Sequence, residues 1–195
     1  PDDAPTVDSL VEQAALLSHA TEHGQNTVRD ALLGVARSLD ALDPAAIGHG
    51  ERVGRLAGLV ARKLGCDEGA ADTVELAARL QSLEGVGADE LEPIPSLREV
   101  GEIVRWHRTG GPLERAPLGA QVLAATNAYA DLVASVDGRL DDRRAAIDEI
   151  AATAATAGSR FSPAVVRALA AVVGVKPRSA RGRRNADDAG VRGAA

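Results

Sequence analysis

Apolar residues recur along this chain at steps of three and four, with polar residues between them. "VDSLVEQAALLSHATEHG" follows that rule and stops at Gly24, a residue suited to a helix C-terminus. "TVRDALLGVARSLDAL" repeats the pattern and ends at Asp43-Pro44. A third stretch, from about Ala45 to Gly65, puts Val53, Leu56, Ala57, Val60 and Leu64 on one face of a helix. A fourth helix is predicted over "EGAADTVELAARLQSL". Pro93 and Pro95 then break the chain, and Ser96 to Glu99 reads as a capping box opening a fifth helix. That helix carries Leu97, Val100, Val104 and His107 on one stripe, and "GGP" closes it. A sixth helix starts near Pro117 and is expected to turn Leu118, Val122, Ala125, Tyr129 and Leu132 inward. A seventh spans about Asp141 to Ala157, and the last opens with Ser162 as N-cap and Pro163 at its first position. No segment alternates with period two between turn residues. The pattern predicts an all-α fold, a helical bundle with no substantial sheet.

The periodicity also divides the chain. Residues 1–24 form an N-terminal segment with one helix, residues 25–175 a helical domain, and residues 176–195 a polar Arg-containing tail, expected to be disordered.

Composition sharpens the picture at three points. Hydrophobic residues make up 45% of the 195, yet aromatic residues only 2%, so the core must be built from Ala, Leu and Val. Small side chains let helices approach closely, and Ala has the best helix propensity. The net charge of −6 opposes nonspecific binding to nucleic acid. Arg181, Arg183 and Arg184 are a local exception, diluted by Asp187 and Asp188. The single Cys66 excludes an internal disulfide, and no apolar run is long enough to span a bilayer. A cytoplasmic protein that does not enter a membrane is expected.

Against this background "RWHRTGGP", Arg105 to Pro112, stands out, because it sets the one Trp beside a His. Five stretches, in order, resemble the HD-GYP family of metal-dependent phosphohydrolases. They are "LDPAAIGHGERVGRLAGLVARKLG", "ELAARLQSLEGVG", "LEPIPSLREVGEIVRWHRTGGP", "APLGAQVLAATNAYADLVASVDG" and "AGSRFSPAVVRAL". The likeness covers roughly Leu42 to Val173 and implies an HD-domain-like bundle.

The family's hydrolysis relies on two or three divalent metals held by His and carboxylate ligands. The resemblance puts His49 in the place of the opening-helix His ligand. Gln81 and Ser82 replace the His-Asp pair, and Glu84-Gly85 the Gly-Lys that follows. Trp106 replaces one of two paired histidines and His107 keeps the other. Arg108 stands for a Glu, and Asn127 for the last Asp. A further His-bearing helix is missing, and the Tyr of Gly-Tyr-Pro has no counterpart beside Gly110, Gly111 and Pro112. His49 and His107 are then the residual metal ligands, and the family's own carboxylates are gone. Glu51 or Glu84 are the side chains that would have to substitute.

Each feature also has a plainer role. The two His rings can be half-buried groups bonded to oxygens. Trp106 can fill the volume of a lost ligand or anchor a partner. His19 and His23, four apart, suit a helix C-terminus better than a metal. Cys66 suits a small apolar filler. Arg105, Arg108 and Arg115 cluster in sequence around the old site and suit phosphate or partner recognition.

The expectation is therefore a non-catalytic HD-GYP-like signalling domain that binds a protein partner or a nucleotide, as in a bacterial-type second-messenger system. No cofactor is expected, nucleic acid is not the partner, and a homodimer is compatible with the sequence. The alternative is a phosphodiesterase with a rearranged site, acting with Mn or Fe on a cyclic dinucleotide or other phosphoester.

Overall fold

Side-chain spacing of three and four becomes helix throughout the computed structural model, which describes residues 29–34, 48–81, 88–91, 94–110, 115–134, 140–156 and 159–176. Residues 29–34 are helical and bury Leu32. Then follow α1 (His49–Lys63), α2 (Glu68–Leu80), the short α3 (Ala88–Leu91), a 3-10 turn (Pro95–Leu97), α4 (Arg98–Thr109), α5 (Leu118–Ala134), α6 (Leu140–Ala154) and α7 (Pro163–Val172). The described residues contain no strand, so the all-α expectation holds. None of their helices is long and apolar enough to cross a membrane.

Helix α5 lies at the centre and touches α1, α2, α4, α6 and α7. It can do so because it is apolar around much of its circumference: Gly119, Ala120, Val122, Leu123, Ala125, Thr126 and Tyr129 are all buried. Small residues set how closely its neighbours approach. A Cβ on Gly119 would lie 2.5 Å from Ile103 Cδ1 of α4 and 3.0 Å from Val74 Cγ2 of α2. Leu80, Leu91, Ile94, Leu97, Leu123, Ile147, Ile150 and Leu169 are the largest fully buried side chains. Each such Leu or Ile contributes roughly 1.5–3 kcal/mol by leaving water.

The stripe predicted on α1 is present: Val53, Ala57 and Val60 are fully buried, and Leu56 and Leu64 pack partly buried against the core. The α4 stripe is present as well, with Leu97, Val100 and Val104 buried and His107 half-buried. Cys66 is partly buried against the same core.

Some local expectations fail. Ser96 does not cap α4, because it sits inside the 3-10 turn that Leu97 closes by donating to Ile94 O at 2.9 Å. The N-cap is Leu97, which makes no side-chain cap bond. Leu118 is 43% exposed rather than inward, since it is the first residue of α5 and the buried face begins at Gly119. Helix α6 ends at Ala154, short of Ala157. Ser162 is the N-cap of α7, with extended φ and ψ and Pro163 following, but its hydroxyl makes no cap bond. By contrast Asp67, not singled out from sequence, caps α2 by accepting the Ala70 N–H at 2.8 Å.

Candidate functional site

Three helices deliver one polar cluster. Gly48, with φ +68°, turns the chain into α1 and makes His49 its first residue, one turn before the buried Val53. Gln81 is the C-cap of α2, fixed by its N–H to Ala77 O at 3.0 Å. Asn127 lies in the middle of α5, one turn before Asp131. Gln81 Nε2 donates to Asn127 Oδ1 at 2.9 Å, and His49 Nε2 lies 3.3 Å from the same oxygen. Asn127 Nδ2 donates to Asp131 Oδ2 at 3.3 Å.

The proton positions follow from which atoms can accept. An ionised carboxylate only accepts, so Asp131 fixes Asn127 with its NH₂ toward α5's next turn. Oδ1 must then face His49 and Gln81, and both must donate to it. His49 therefore carries its proton on Nε2 in this arrangement. Asp131 Oδ1 stands 3.9 Å from the same nitrogen.

Helix α4 brings the remaining residues. Arg108 reaches across to donate to the Gln81 carbonyl at 3.2 Å. His107 is half-buried, and its Nδ1 is buried with no hydrogen-bond partner among the described residues. Burial first, then the charges of Arg160 and Arg108, hold its imidazole below the usual value, against the opposing pull of Asp131. Trp106 packs partly buried against the core, and with His107 it lines a small recess that Arg160 closes. Trp106 thus fills space beside the cluster. His49 also lines an open depression of about 390 Å³ with Arg52, Leu56, Tyr129 and Val133.

His49, Gln81, Asn127, His107 and Arg108, the described positions taken from the resemblance, thus fall in one region. Ser82, Glu84, Gly111, Pro112, His19 and His23 lie outside the described residues, as do the tail arginines. Arg105 is engaged instead by Asp89 of α3 at 3.1 Å, and Arg115 is exposed. Glu51, one of two carboxylates considered as a substitute, pairs with Arg55 at 2.8 Å. Among the described residues the carboxylate that reaches the cluster is Asp131. Its spacing of four from Asn127 was the available signal, since that spacing shares a helix face. Arg160 was also missed. The Ser159 hydroxyl accepts the Phe161 N–H at 3.0 Å, Phe161 enters the core, and Arg160 is left at the surface over its ring.

A dinuclear centre does not fit this donor set. Among the described residues, His49 Nε2 bonds to Asn127 Oδ1, Asn127 and Gln81 are neutral amides, and one carboxylate, Asp131, reaches the cluster. Among the described residues no three His, Cys, Asp or Glu side chains are placed to hold a metal ion. Compared with protein-family models, with curated proteins and with solved structures, the chain finds no match.

Proposed function

We propose that this chain is a non-catalytic HD-GYP-like domain that works by binding, within a signalling system, a protein partner or a nucleotide. One observation carries the reading: Asn127 Oδ1 accepts from both His49 and Gln81. Side chains that the resemblance assigns to metal ligation bond to one another instead. Half-buried polar groups that lost their metal would otherwise stand unsatisfied, at a cost of about 1–3 kcal/mol each. The neutral network removes that cost and leaves the helical scaffold intact. The depression beside His49 and the recess beside Trp106 are surfaces such a domain could use.

The test is metal stoichiometry with turnover. Purified protein is incubated with Mn²⁺ or Fe²⁺, freed of excess and counted by mass spectrometry, beside His49→Ala. We expect no retained metal and no phosphodiesterase turnover. Retained metal that is lost in His49→Ala would overturn the proposal.

The second reading, a rearranged phosphohydrolase, draws support from Asp131 alone, a carboxylate 3.9 Å from His49. It requires turnover of a phosphoester that disappears in both His49→Ala and Asp131→Asn.

A further inference from the structure

The recess between α4 and α5 has a different character from the amide network next to it. Its lining includes Trp106, His107, Ala120, Gln121, Ala124 and Arg160. Its space is about 60 Å³. That is well below the roughly 300–1,000 Å³ of pockets that bury a drug-sized molecule. It therefore suits one small chemical group rather than a whole nucleotide or a peptide.

Among the described residues that line it, none carries a carboxylate, and Asp131, which is not one of them, pulls the His107 pKa upward. Arg160 is exposed and stacked over Phe161, with its guanidinium carbon 5.2 Å from the ring centroid. It makes no ion pair among the described residues, in contrast to Arg55, Arg62, Arg79 and Arg105, each of which has a carboxylate partner. Stacking on an aromatic face leaves the guanidinium edge, with its N–H fork, available to an acceptor. Arg108 adds a second positive charge close to His107. A small space lined by a guanidinium and an imidazole, with no acid among its described lining residues, is suited to an oxyanion.

We propose that Arg160 and His107, with the Trp106 ring as a wall, form a binding site for a phosphate-sized tetrahedral oxyanion, either inorganic phosphate or the terminal group of a phosphomonoester. The site rests on the reading of this domain as a metal-free binding module. It narrows the ligand class from nucleotide or partner to a phosphate-bearing molecule whose remainder stays outside the recess. No bond is made or broken.

Trp106 is the chain's one Trp, so its emission reports on the recess without labelling. The full chain, in metal-stripped buffer, is titrated with sodium phosphate against sodium chloride at matched ionic strength. A saturable change with phosphate and none with chloride is expected. Arg160→Gln should weaken the apparent affinity about tenfold or more, the loss of a charge-assisted bond. Arg160→Lys, which keeps the charge, should lose less, and Arg55→Gln should stay within about twofold because Arg55, on α1, is outside the recess. Unchanged circular dichroism in each variant shows that the fold is kept. A nucleoside monophosphate run in parallel separates the sources. Tighter binding than phosphate assigns the site to a phosphomonoester and equal binding to phosphate itself, and both support the oxyanion site.

Absence of a saturable response, or an Arg160→Gln titration equal to the native one, overturns the proposal. If the same samples retain no metal, the binding-module reading still stands. Retained metal overturns that reading instead, and a phosphate response that appears only with metal overturns both.

Discussion

Two polar regions flank α1 and α2, and they are built from opposite materials. Along the outer seam the groups carry full charges and are paired. Arg62 meets Glu68 at 2.8 Å and Asp72 at 3.0 Å, Arg29 stands 3.9 Å from Asp72, and Arg79 pairs with Glu75. At the first residue of α1 and the C-cap of α2, His49, Gln81 and Asn127 share hydrogen bonds between groups that need carry no charge, and among the described residues Asp131 is the acid that reaches them. Charges facing water cost little to keep and contribute little when paired. Half-buried amides and imidazoles cost little only while each has its partner. Charge density thus lies on the seam and is low among the described residues of the region where metal chemistry would require it.

The largest effect should come from removing the shared acceptor. Asn127→Leu leaves His49 and Gln81 with donors and no oxygen, and should lower unfolding free energy by about 2 kcal/mol in urea titrations. Asn127→Asp is the sharper variant. It places a second carboxylate beside Asp131, so it should be destabilised in metal-stripped buffer, and added Mn²⁺ should raise its thermal midpoint while leaving the native midpoint unmoved. A native midpoint that rises with Mn²⁺ would erase the contrast between the regions.

A smaller loss is expected at the seam. Glu75→Gln removes one carboxylate partner of Arg79, where both side chains are only 22–23% exposed. The expected cost is about 1 kcal/mol, reduced in high salt. Equal losses for Asn127→Leu and Glu75→Gln at all salt concentrations would show that the two regions do not differ in kind.

The pH dependence should be weaker and opposite in sense to that of a salt-bridged His. The folded-state value of His107 lies below its ordinary 6.5. Below that ordinary value the unfolded chain binds the proton more readily, so stability from this group is present above about pH 6.5 and lost as pH falls through the folded value. Urea unfolding across that window should show the native protein losing stability toward acid, with a shallower slope in His107→Asn. Arg160→Gln should also flatten it, because the larger of the two repulsive charges is removed.

The smallest effect belongs to Arg62. Its side chain is 33% exposed and that of its Glu68 partner 77%. Arg62→Gln should shift the midpoint least, and high salt should abolish the difference.

Much of the fold was legible because burial imposes a period. Val53, Ala57 and Val60 on α1, and Leu97, Val100 and Val104 on α4, repeat as a helix requires, and they are buried. Caps were less legible. Ser96 to Glu99 fits a capping box as a string, yet a proline-led 3-10 turn moves the helix start past the serine. The site was partly legible through order: His49, Gln81, Asn127 and His107 could be named without coordinates. Asp131 and Arg160 could not be ranked, because an acid on an exposed face and an arginine beside a phenylalanine are ordinary features of a sequence.

By itself, then, the sequence determined helix, the small-residue core and the loss of acids from the positions the resemblance assigns to metal. Those follow from local spacing and residue type. The tertiary structure alone decided which polar groups satisfy one another. Asn127 Oδ1 serves residues 46 and 78 positions away. Asp131 orients that amide, and Arg160 remains unpaired among the described residues beside His107. A hydrogen bond depends on ångströms and angles across three helices, and nothing in the linear order of residues sets those distances.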